Sequence, residues 1–316
     1  MQKEDRPLKT LEVVSVNISK EKGTVKVPVS EIELNGQGVR GDAHAGNWHR
    51  QVSLLASESI EQAEAAAGEK FPDGTFAENI TTRGIQIHKT NILDRFVSDS
   101  VALEVTQIGK KCHAKCAIGR KVGNCIMPLE GIFVRVTGGG ILKPGDRLTY
   151  HPKTFRIKVI TLSDRAASGE YEDQSGPEIE RVLTSWAEEV RLHLQIEREI
   201  IPDEKAVLEN RMGSAVAGDY DMVFTTGSTG IGARDIAPET ISGFLEKEIP
   251  GIMDMIRLKY GAEKPNALLS RSVCGTHGKT LIFALPGSPK AVREYMAEVT
   301  TVLLHMLLMV HGISAH

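Results

Sequence analysis

The pattern of hydrophobic and polar positions differs between the two halves of the chain. In the first half, β-branched residues recur in partial alternation over short stretches separated by glycines, which is typical of β-strands joined by turns. The one helix predicted here covers Ser57–Ala67. The predicted strands are Leu11–Ser19, Thr24–Val29, Val101–Ile108, Ile132–Val136 and Arg147–Tyr150. Many short strands with glycine turns indicate a β-barrel or a β-sandwich.

In the second half, short apolar runs alternate with helical patterns. Strands are predicted over Arg156–Leu162, Leu192–Ile201, Met222–Thr226 and Thr280–Leu285. Helices are predicted over Gly176–Val190, Asp203–Ala217 and Pro238–Glu248, and a longer one has Ser288 as N-cap and Pro289 at its first position. Because strands that alternate with helices form βαβ units, this half is predicted to be an α/β domain with a largely parallel sheet.

The two patterns meet at the segment HPKTF, residues 151–155, which contains a proline and few apolar residues. Such a composition is typical of a short linker. A chain of 316 residues is also long enough for two domains. We therefore expect one domain over residues 1–151 and a second over residues 155–316.

Charge and hydropathy narrow the possible partners. The formal net charge of −3 shows no overall basic excess, so nucleic acid is not an expected partner. The opening segment MQKEDRPLKT lacks the apolar core of a signal peptide. The apolar stretch Val302–Val310 is interrupted by His305 and is shorter than the roughly 20 residues that span a bilayer. No membrane association is expected, and the cytoplasm is the expected location.

Three loops of the second half are predicted to meet at one edge of the sheet. They read SDRAASGEYEDQSGP, TTGSTGIGARD and LPGSPKA, and each follows a predicted strand. Ligands of open α/β sheets bind beyond the carboxyl ends of the strands, where helix N-termini favour anions. TTGSTGIGARD lacks the lysine of a P-loop and the spacing of G-x-G-x-x-G, so by itself it is compatible with a simple turn. Three such loops at one edge indicate a site for an anionic ligand.

The order of motifs in this half resembles one family. TLSDRAASGEYEDQSGPEI, IPDE, TTGSTGIGARDIAPETI, IPGIMDMIR, LLSR and KTLIFALPGSPKAVREYM occur in the order seen in the MogA/MoaB family of molybdopterin adenylyltransferases. The resemblance spans about residues 155–311 and implies a mixed-sheet α/β domain, usually a homotrimer. It also implies a reaction in which ATP and Mg²⁺ adenylylate the phosphate of molybdopterin and release pyrophosphate. The family's catalytic aspartates correspond to Asp203 in IPDE and Asp235 in GARD.

The physical chemistry of these residues agrees with that reaction. The phosphates of ATP and of molybdopterin repel each other, and a bound Mg²⁺ ion lowers this repulsion. Asp203 and Asp235 suit such an ion because Mg²⁺ prefers hard oxygen ligands. Backbone N–H groups of the glycine-rich loops are expected to hold phosphate oxygens. The expected ligands of cofactor and substrate are Ser163, Asp164, Gly227, Ser228, Thr229, Gly230, Gly287 and Ser288, with Glu172 and Asp173 as secondary candidates.

Each charged side chain also has a purely structural interpretation. Asp203 and Asp235 both precede a predicted helix, so by residue type alone each fits a helix cap as well as it fits catalysis, and Asp235 also fits the start of a turn. Arg271 and Lys279 are expected to be ordinary solvated surface charges.

Two positions depart from the family's pattern. Ser228 stands where a second adjacent glycine is usual, so its side chain narrows the space for a ligand but adds a hydroxyl donor. In IPGIMD, Asp254 stands where glutamate is usual, and its carboxylate reaches one methylene less far. These departures leave open a non-catalytic protein that binds molybdopterin.

Three of the four cysteines, Cys112, Cys116 and Cys125, fall in one short window of the first half. Their spacing contains no C-x₂-C pair and matches no zinc pattern. Lysine, arginine and histidine residues lie close to Cys112 and Cys116 in the sequence, and nearby cations favour the reactive thiolate. Cys125 is followed by Ile126 and Met127, so a partly buried structural thiol is the alternative there.

The blocks GDAHAG, ENITT and CIMPLEGIF resemble the MOSC domain, named for the C-terminal part of molybdenum cofactor sulfurases, over about residues 8–150. The resemblance implies a β-barrel whose functional cysteine ligates molybdenum or carries sulfur. Pyridoxal phosphate binding is also implied, because it is a property ascribed to the MOSC family. We assign the catalytic and metal-binding role to Cys116. His44 and His49 lie in a segment rich in anion-binding groups and are expected to be either structural histidines or ligands.

Both resemblances point to the biosynthesis of the molybdenum cofactor. The first hypothesis is an enzyme, a nucleotidyltransferase whose C-terminal half adenylylates molybdopterin and whose MOSC half binds the cofactor or hands it on at high effective concentration. Its expected partners are molybdopterin, ATP, and molybdenum cofactor enzymes or an insertase. The alternative is a non-catalytic carrier of molybdopterin or of the molybdenum cofactor. A third hypothesis makes the MOSC half a reductase of N-hydroxylated compounds, which requires molybdenum coordinated by Cys116.

Overall fold

The computed structural model describes residues 9–110 and 125–313. The chain divides between Lys153 and Thr154 into two units, Met1–Lys153 and Thr154–His316. No helix in the described part of the chain is long and apolar enough to cross a membrane.

The N-terminal unit is built mainly from short strands. These are β1 (Thr10–Ile18), β2 (Val27–Val29), β3 (Ile32–Asn35), β4 (Gly38–Val39), β5 (Val52–Ala56), β6 (Ile80–Arg83), β7 (Arg95–Val97), β8 (Ala102–Ile108), β9 (Ile132–Gly138), β10 (Gly140–Leu142) and β11 (Arg147–His151). Within the described residues of this unit, the helices are α1 (Ser57–Ala67) and α2 (Met127–Glu130), and a 3₁₀ turn covers Ile87–Lys89. The predicted helix Ser57–Ala67 is confirmed with both bounds; it ends at Gly68, whose left-handed backbone (φ 71°) closes many helices.

Seven strands of this unit close into a barrel. Their order is β11-β7-β8-β9-β5-β6-β1, and β1 pairs back with β11, placing Leu11 opposite Leu148. Only β5 and β6 pair in parallel within this ring. Because the ring is closed, each strand pairs through backbone hydrogen bonds with a neighbour on both sides. The barrel surrounds an apolar core that includes Leu54, Phe96 and Val134, all fully buried. The β-barrel prediction is therefore confirmed, and the sandwich interpretation is wrong.

Alternation of hydrophobic residues did not predict β5. All five of its residues are buried, and a strand covered on both faces has no polar face to mark it. The predicted strand Thr24–Val29 is shortened to Val27–Val29, which lies beside β1. The other predicted strands of this half are present with bounds shifted by one or two residues.

The C-terminal unit alternates strands and helices. Its strands are β12 (Thr154–Leu162), β13 (His193–Ile201), β14 (Met222–Thr226), β15 (Lys247–Glu248), β16 (Cys274–His277) and β17 (Thr280–Leu285). Its helices are α3 (Asp164–Ala167), α4 (Ser175–Val190), α5 (Lys205–Ala217), α6 (Ala237–Ser242), α7 (Pro250–Gly261) and α8 (Pro289–Val310), and a 3₁₀ turn covers Pro265–Leu269.

The sheet of this unit has the order β13-β12-β14-β17-β16-β15. The first four strands are mutually parallel, whereas β16 and β15 run antiparallel to their neighbours, so the sheet is mixed and largely parallel, as predicted. The chain passes from β12 outward to β13 and then returns to β14 on the other side of β12. Such a reversal opens a crevice at the carboxyl ends of the two central strands, which is where α/β proteins bind ligands.

Apolar side chains cover both faces of this sheet. On one face, Leu208 and Met212 of α5 and Ile241 of α6 pack on strand residues such as Ile160 and Ile282. Helices α4 and α8 pack against each other and contact β12 and β17, respectively. The sheet is therefore held rigidly, and the loops at its carboxyl edge start from fixed positions.

Two helix predictions in this unit need correction. The helix predicted over Pro238–Glu248 ends at Ser242, and Lys247–Glu248 forms the edge strand β15. Tertiary hydrogen bonding accounts for this difference, because the flanking amide of Ile249 donates to the carbonyl of Cys274 at 2.8 Å. The helix predicted from Asp203 begins at Lys205, since the preceding Glu204 is extended. The expected roles of Ser288 as N-cap and Pro289 at the first helical position are confirmed.

Candidate functional site

A cavity of about 300 Å³ opens at the carboxyl edge of the mixed sheet. Loops after all four parallel strands contribute to it. Its walls are Thr161, Leu162, Ser163, Asp164, Ala166, Tyr171, Asp173, Ser175, Asp203, Gly227, Ser228, Arg234, Asp235 and Gly287. We call this the carboxyl-edge cavity. Four of these side chains are aspartates and one is an arginine, so the cavity can hold a cation beside an anionic ligand.

Asp164 and Asp203 are joined by reciprocal hydrogen bonds across two neighbouring strands. The amide of Asp164 donates to the carboxylate of Asp203 at 3.2 Å, and the amide of Asp203 donates to the carboxylate of Asp164 at 3.0 Å. The second carboxylate oxygen of Asp164 pairs with the guanidinium of Arg234 at 2.6 Å. The loops after β12 and β13 are therefore tied together, and both carboxylates are held at the cavity wall.

Burial raises the pKa of Asp203 above its ordinary value, and the negative charge of Asp164 adds to that rise. The hydrogen bond from the Asp164 amide and, more weakly, the guanidinium of Arg234 lower this pKa. A carboxylate in such surroundings is stabilised when a cation binds beside it, because the cation compensates for lost hydration and for the repulsion from Asp164.

The glycine-rich loop after β14 begins with two residues in unusual backbone conformations. Gly227 has φ 100°, and a Cβ there would overlap the carbonyl oxygen of Leu162. Ser228 has φ 57°, which is uncommon for a residue other than glycine. A Cβ on Gly287 would lie only 3.1 Å from Cα of Gly227, so the loops after β14 and β17 touch backbone to backbone. Glycine is required here because two main chains approach each other closely.

The hydroxyl of Ser228 is used within the loop. Its Oγ donates to the carbonyl of Arg234 at 2.8 Å and accepts from the amide of Ile236 at 2.9 Å. These two groups belong to the peptide units on either side of Asp235. The hydroxyl expected from the sequence as a ligand donor therefore serves here to close the loop.

Neither aspartate that was proposed as catalytic caps the following helix. The carboxylate of Asp235 accepts from the amide of Gly232 at 2.7 Å, and α6 has no side-chain cap. Helix α5 likewise has no side-chain cap, since Asp203 accepts from Asp164 instead. The helix-capping alternative is therefore wrong for both residues, and each remains half-buried at the cavity.

Most of the residues expected to form the site line the carboxyl-edge cavity: Ser163, Asp164, Asp203, Gly227, Ser228, Asp235 and Gly287. Three expected ligands lie elsewhere. Thr229 is buried and Gly230 follows it, and the carbonyls of both accept hydrogen bonds from Arg271. Ser288 caps α8, where its Oγ accepts from the amide of Ala291 at 3.2 Å.

The secondary candidates divide in a similar way. Asp173 lines the cavity, but its carboxylate accepts from Thr161 Oγ1 and from the amides of Ser175 and Gly176, so it organises the start of α4. Glu172 is exposed and does not line the cavity.

The departure at Asp254 has no direct consequence for this cavity. Asp254 is exposed on α7, pairs with Arg257 at 2.6 Å and is not part of the cavity wall.

Six residues of the cavity wall were not among the candidates: Thr161, Leu162, Ala166, Tyr171, Ser175 and Arg234. Arg234 is adjacent to Asp235 in the sequence, and this adjacency could have identified it as a residue of the site. Tyr171 lies in the first loop, where its ring is 5.4 Å from the guanidinium of Arg165. Arg271, expected to be a solvated surface charge, instead hydrogen-bonds the loop that carries Asp235.

Asp203 and Asp235 are the side chains that would hold a metal ion at this site. Among the described residues, no group of three or more His, Cys, Asp or Glu side chains is arranged to hold a metal. Mg²⁺ is commonly bound through one or two carboxylates together with substrate phosphates and water. Asp203 and Asp235 fit that mode because they provide carboxylate oxygens on the wall of one cavity.

The N-terminal barrel carries a cationic cluster around Trp48. The guanidinium of Arg50 lies 4.9 Å and the ammonium of Lys22 lies 5.9 Å from the Trp48 ring centre, and the ring of His44 stacks on it. The buried Nε of Arg50 and Nδ1 of His49 have no hydrogen-bond partner among the described residues. Burial and the neighbouring charges of Arg50 and Arg135 lower the pKa of His49. An anion would satisfy such donors.

The proposed functional Cys116 lies outside the described residues, as does Cys112. Cys125 is half-buried and packs with Phe76 and Met127. Buried Asp42 accepts from the amide of His44 and pairs with buried Lys26, which fixes the GDAHAG segment.

Comparison with known proteins gives a match for each half. The family described as "Probable molybdopterin binding domain" matches residues 158–305, and the MOSC domain family matches residues 41–149. Molybdopterin adenylyltransferase from Helicobacter pylori strain J99 is 38% identical over 149 residues, which cover 46% of this chain and 82% of that protein. The enzyme of the same name from Escherichia coli K12 is 35% identical over 163 residues, covering 51% of this chain and 81% of that protein.

Solved structures give a match over the same half. The molybdopterin biosynthesis enzyme MoaB from Thermus thermophilus is 35% identical, covers 50% of this chain and 97% of that chain, and has a TM-score of 0.46.

Proposed function

Since the chain belongs, through its C-terminal half, to the family of the molybdopterin adenylyltransferases, we propose that this half transfers the adenylyl group of ATP to the phosphate of molybdopterin. The principal support is the convergence of Asp203, Asp235 and the Gly227–Gly287 backbone contact on one cavity. These groups come from the ends of three different strands and match what a reaction between two phosphates needs.

The reaction balances without an oxidant or reductant. An oxygen of the molybdopterin phosphate attacks the α-phosphorus of ATP, the bond from that phosphorus to the bridging oxygen of the β-phosphate breaks, and pyrophosphate leaves with the electron pair. Little covalent chemistry is required of the protein, so catalysis depends on positioning and on electrostatic stabilisation.

The residues of the cavity divide these tasks. Asp203 and Asp235 supply carboxylate oxygens for Mg²⁺, which when bound offsets the charge of the phosphates. Arg234 supplies a cationic side chain of the cavity wall and can balance charge on the transferred or leaving phosphate. The absence of a side chain on Gly227 and Gly287 lets phosphate oxygens come near the main chain.

The test is an adenylylation assay of the full chain with ATP, Mg²⁺ and molybdopterin. We expect adenylylated molybdopterin and pyrophosphate from the wild type, and a loss of at least about 100-fold in kcat for Asp235→Asn and Asp203→Asn. Asp219→Asn is the matched control. Asp219 is exposed, has φ 56° and precedes β14 at the end opposite the cavity, so asparagine is tolerated there and activity should be unchanged.

The assay also separates the enzyme from the carrier. A folded wild-type protein that binds molybdopterin in calorimetry but forms no product with Mg-ATP would refute the enzyme and support the carrier.

For the N-terminal half, the proposed role is to bind the cofactor or its anionic precursor and to hand it on to molybdenum cofactor enzymes or an insertase. The charges of Lys22 and Arg50 at Trp48 support this role, because the buried, unpaired Nε of Arg50 suits a phosphate or an oxyanion. Cys116 is the proposed metal or sulfur ligand.

The test for this half compares the pterin and molybdenum content of purified wild type, Cys116→Ala and Arg50→Gln. We expect Cys116→Ala to lose molybdenum and Arg50→Gln to lose pterin. Equal content in all three proteins would refute the role, whereas bound molybdenum with reduction of N-hydroxylated compounds would support a reductase instead. The homotrimer and the cytoplasmic location stay predictions, which sedimentation and cell fractionation can test.

A further inference from the structure

Arg271 reaches from a separate segment onto the loop that carries Asp235. It lies two residues beyond the 3₁₀ turn Pro265–Leu269. Its Nε donates to the carbonyl of Gly230 at 2.6 Å, and its Nη2 donates to the carbonyl of Asp235 at 2.7 Å. Its backbone amide donates to the carbonyl of Thr229 at 2.9 Å. One residue therefore holds three carbonyls of a single loop.

The remaining nitrogen of Arg271 faces the helix that follows the loop. Its Nη1 pairs with the carboxylate of Glu239 in the first turn of α6. The guanidinium is planar and presents its donors in fixed directions, so these contacts set the loop and the helix in one geometry.

The other side of the loop is held by groups already described. The amide of Asp235 donates to the carbonyl of Gly232 at 3.0 Å, and the Asp235 carboxylate accepts from the amide of Gly232. Ser228 Oγ holds the carbonyl of Arg234 and the amide of Ile236. With the Asp235 carbonyl bound by Arg271, every backbone group next to Asp235 has a partner, so its side chain has a defined position at the cavity.

We propose that Arg271 is a positioning residue that fixes the Asp235 carboxylate in the carboxyl-edge cavity by holding the carbonyls of Gly230 and Asp235. The assignment of a catalytic task to Asp235 rests on the proposed function; the positioning itself is a property of the loop. Lysine cannot replace arginine in this role, because a single ammonium group cannot reproduce the directions of Nε and Nη2 while also facing Glu239.

Hydrogen exchange of the full chain, measured by mass spectrometry, tests the positioning without any assay of activity. In Arg271→Lys, exchange of the segment 228–236 should accelerate about tenfold or more, since two hydrogen bonds to the loop carbonyls are lost, while exchange of β12 and β14 stays unchanged. Arg181→Lys is the matched control: Arg181 is exposed on α4 and pairs only with Glu178 among the described contacts. Glu239→Gln, which keeps both carbonyl bonds, should also leave the segment protected.

Three results would overturn the proposal. Exchange of 228–236 in Arg271→Lys that matches Arg181→Lys would show that the carbonyl bonds do not restrain the loop. An equal acceleration in Glu239→Gln would assign the restraint to the ion pair. Unprotected exchange of 228–236 in the wild type itself would overturn it without any variant, which covers the case in which Arg271→Lys fails to fold.

Kinetics supply the second readout. In the adenylylation assay, Arg271→Lys should lower kcat about 10- to 100-fold and change KM for ATP less than about threefold, as expected for a misplaced carboxylate. Proportional losses that follow a lowered melting temperature would instead indicate a structural role only. If the wild type forms no product, the proposed function fails, whereas the exchange experiment still decides the role of Arg271.

Discussion

The main-chain amides of Asp164 and Asp203 each donate to the carboxylate of the other residue, although the two residues are 39 positions apart. The nearby amide of Ser163 also donates to the carbonyl of Ile201 at 3.0 Å. The ends of the neighbouring strands β12 and β13 are therefore locked together at the wall of the cavity, and the two carboxylates are placed by the same bonds.

Two variants of Asp164 separate the hydrogen bond that its carboxylate accepts from the Asp203 amide from its ion pair with Arg234. Asp164→Asn can still accept from the amide of Asp203 and loses only its exposed pair with Arg234, which is worth about 0–1 kcal/mol. Asp164→Ala also leaves the amide of Asp203 without an acceptor, which costs about 1–3 kcal/mol. We expect a lower unfolding midpoint for the alanine variant than for the asparagine variant in urea, followed by the fluorescence of Trp186 in chains that carry Trp48→Phe. Equal midpoints would contradict a contribution from the reciprocal bond.

Alanine at Gly227 is expected to destabilise the C-terminal unit by about 2–4 kcal/mol, because it combines a positive φ with overlap against the Leu162 carbonyl. Gly213→Ala is the matched control for the same chemical change. Gly213 lies inside α5 with no atom near a new Cβ, so alanine there should stabilise the unit by about 0.5–1 kcal/mol. Urea unfolding of both variants measures the two shifts, and a shift of the same sign in both would contradict the steric argument.

Ser228 combines a strained backbone with a hydroxyl that makes two hydrogen bonds within its own loop. Ser228→Gly removes the strain together with both hydrogen bonds of Oγ, whereas Ser228→Ala removes the bonds and keeps the strain at φ 57°. The alanine variant should therefore be less stable than the glycine variant by about 1 kcal/mol. The difference between their unfolding midpoints checks this. An alanine variant as stable as the glycine variant would mean that the backbone relaxes to another conformation.

A pH dependence is expected in the N-terminal barrel from Glu78, which is fully buried. Burial raises the pKa of this carboxyl from 4.5 to about 7, although it accepts hydrogen bonds from the amides of Gly74 and Phe76. A raised pKa means that the folded state keeps a proton that the unfolded chain releases. The stability that this proton contributes is complete below pH 4.5 and is lost as the pH rises through about 7, at about 1.4 kcal/mol per pH unit.

Glu78→Gln should remove this dependence, so the stability of the wild type should fall relative to the variant between pH 5 and pH 7. The chain has two tryptophans, Trp48 and Trp186, so Trp186→Phe makes Trp48 fluorescence a reporter of the N-terminal unit alone. Buried Lys26 and the neighbouring Asp73 also influence this carboxyl, and both are unchanged in the comparison. Parallel pH profiles for the two proteins would contradict the raised pKa.

Local sequence was sufficient where one short-range pattern decided the outcome. The strands Met222–Thr226 and Thr280–Leu285 have the predicted bounds because each is a short apolar run buried on both faces and bounded by polar or turn residues. Helix α1 has its predicted bounds because its residues favour helix and Gly68 ends it. The family motifs also named Asp203 and Asp235, and both line the cavity.

Long-range pairing decided the rest. Residues 247–248 form a strand rather than the end of a helix because they pair with β16, about 30 residues later, and no local signal encodes that partner. Arg271 appeared to be a surface charge because the carbonyls that it binds lie 36 and 41 positions away. Backbone carbonyls are present at every residue, so their partners cannot be inferred from residue types.

The sequence by itself determined the fold class of each half, the order of the motifs and the chemical types available at the site. Those properties depend on periodicity and on residue identity, which are local. Only the tertiary structure decided that Asp203 bonds Asp164, that the Ser228 hydroxyl closes its own loop, and that Arg271 holds the Asp235 loop. Each of these depends on distances between segments far apart in the chain, and folding sets those distances by packing the helices on one sheet.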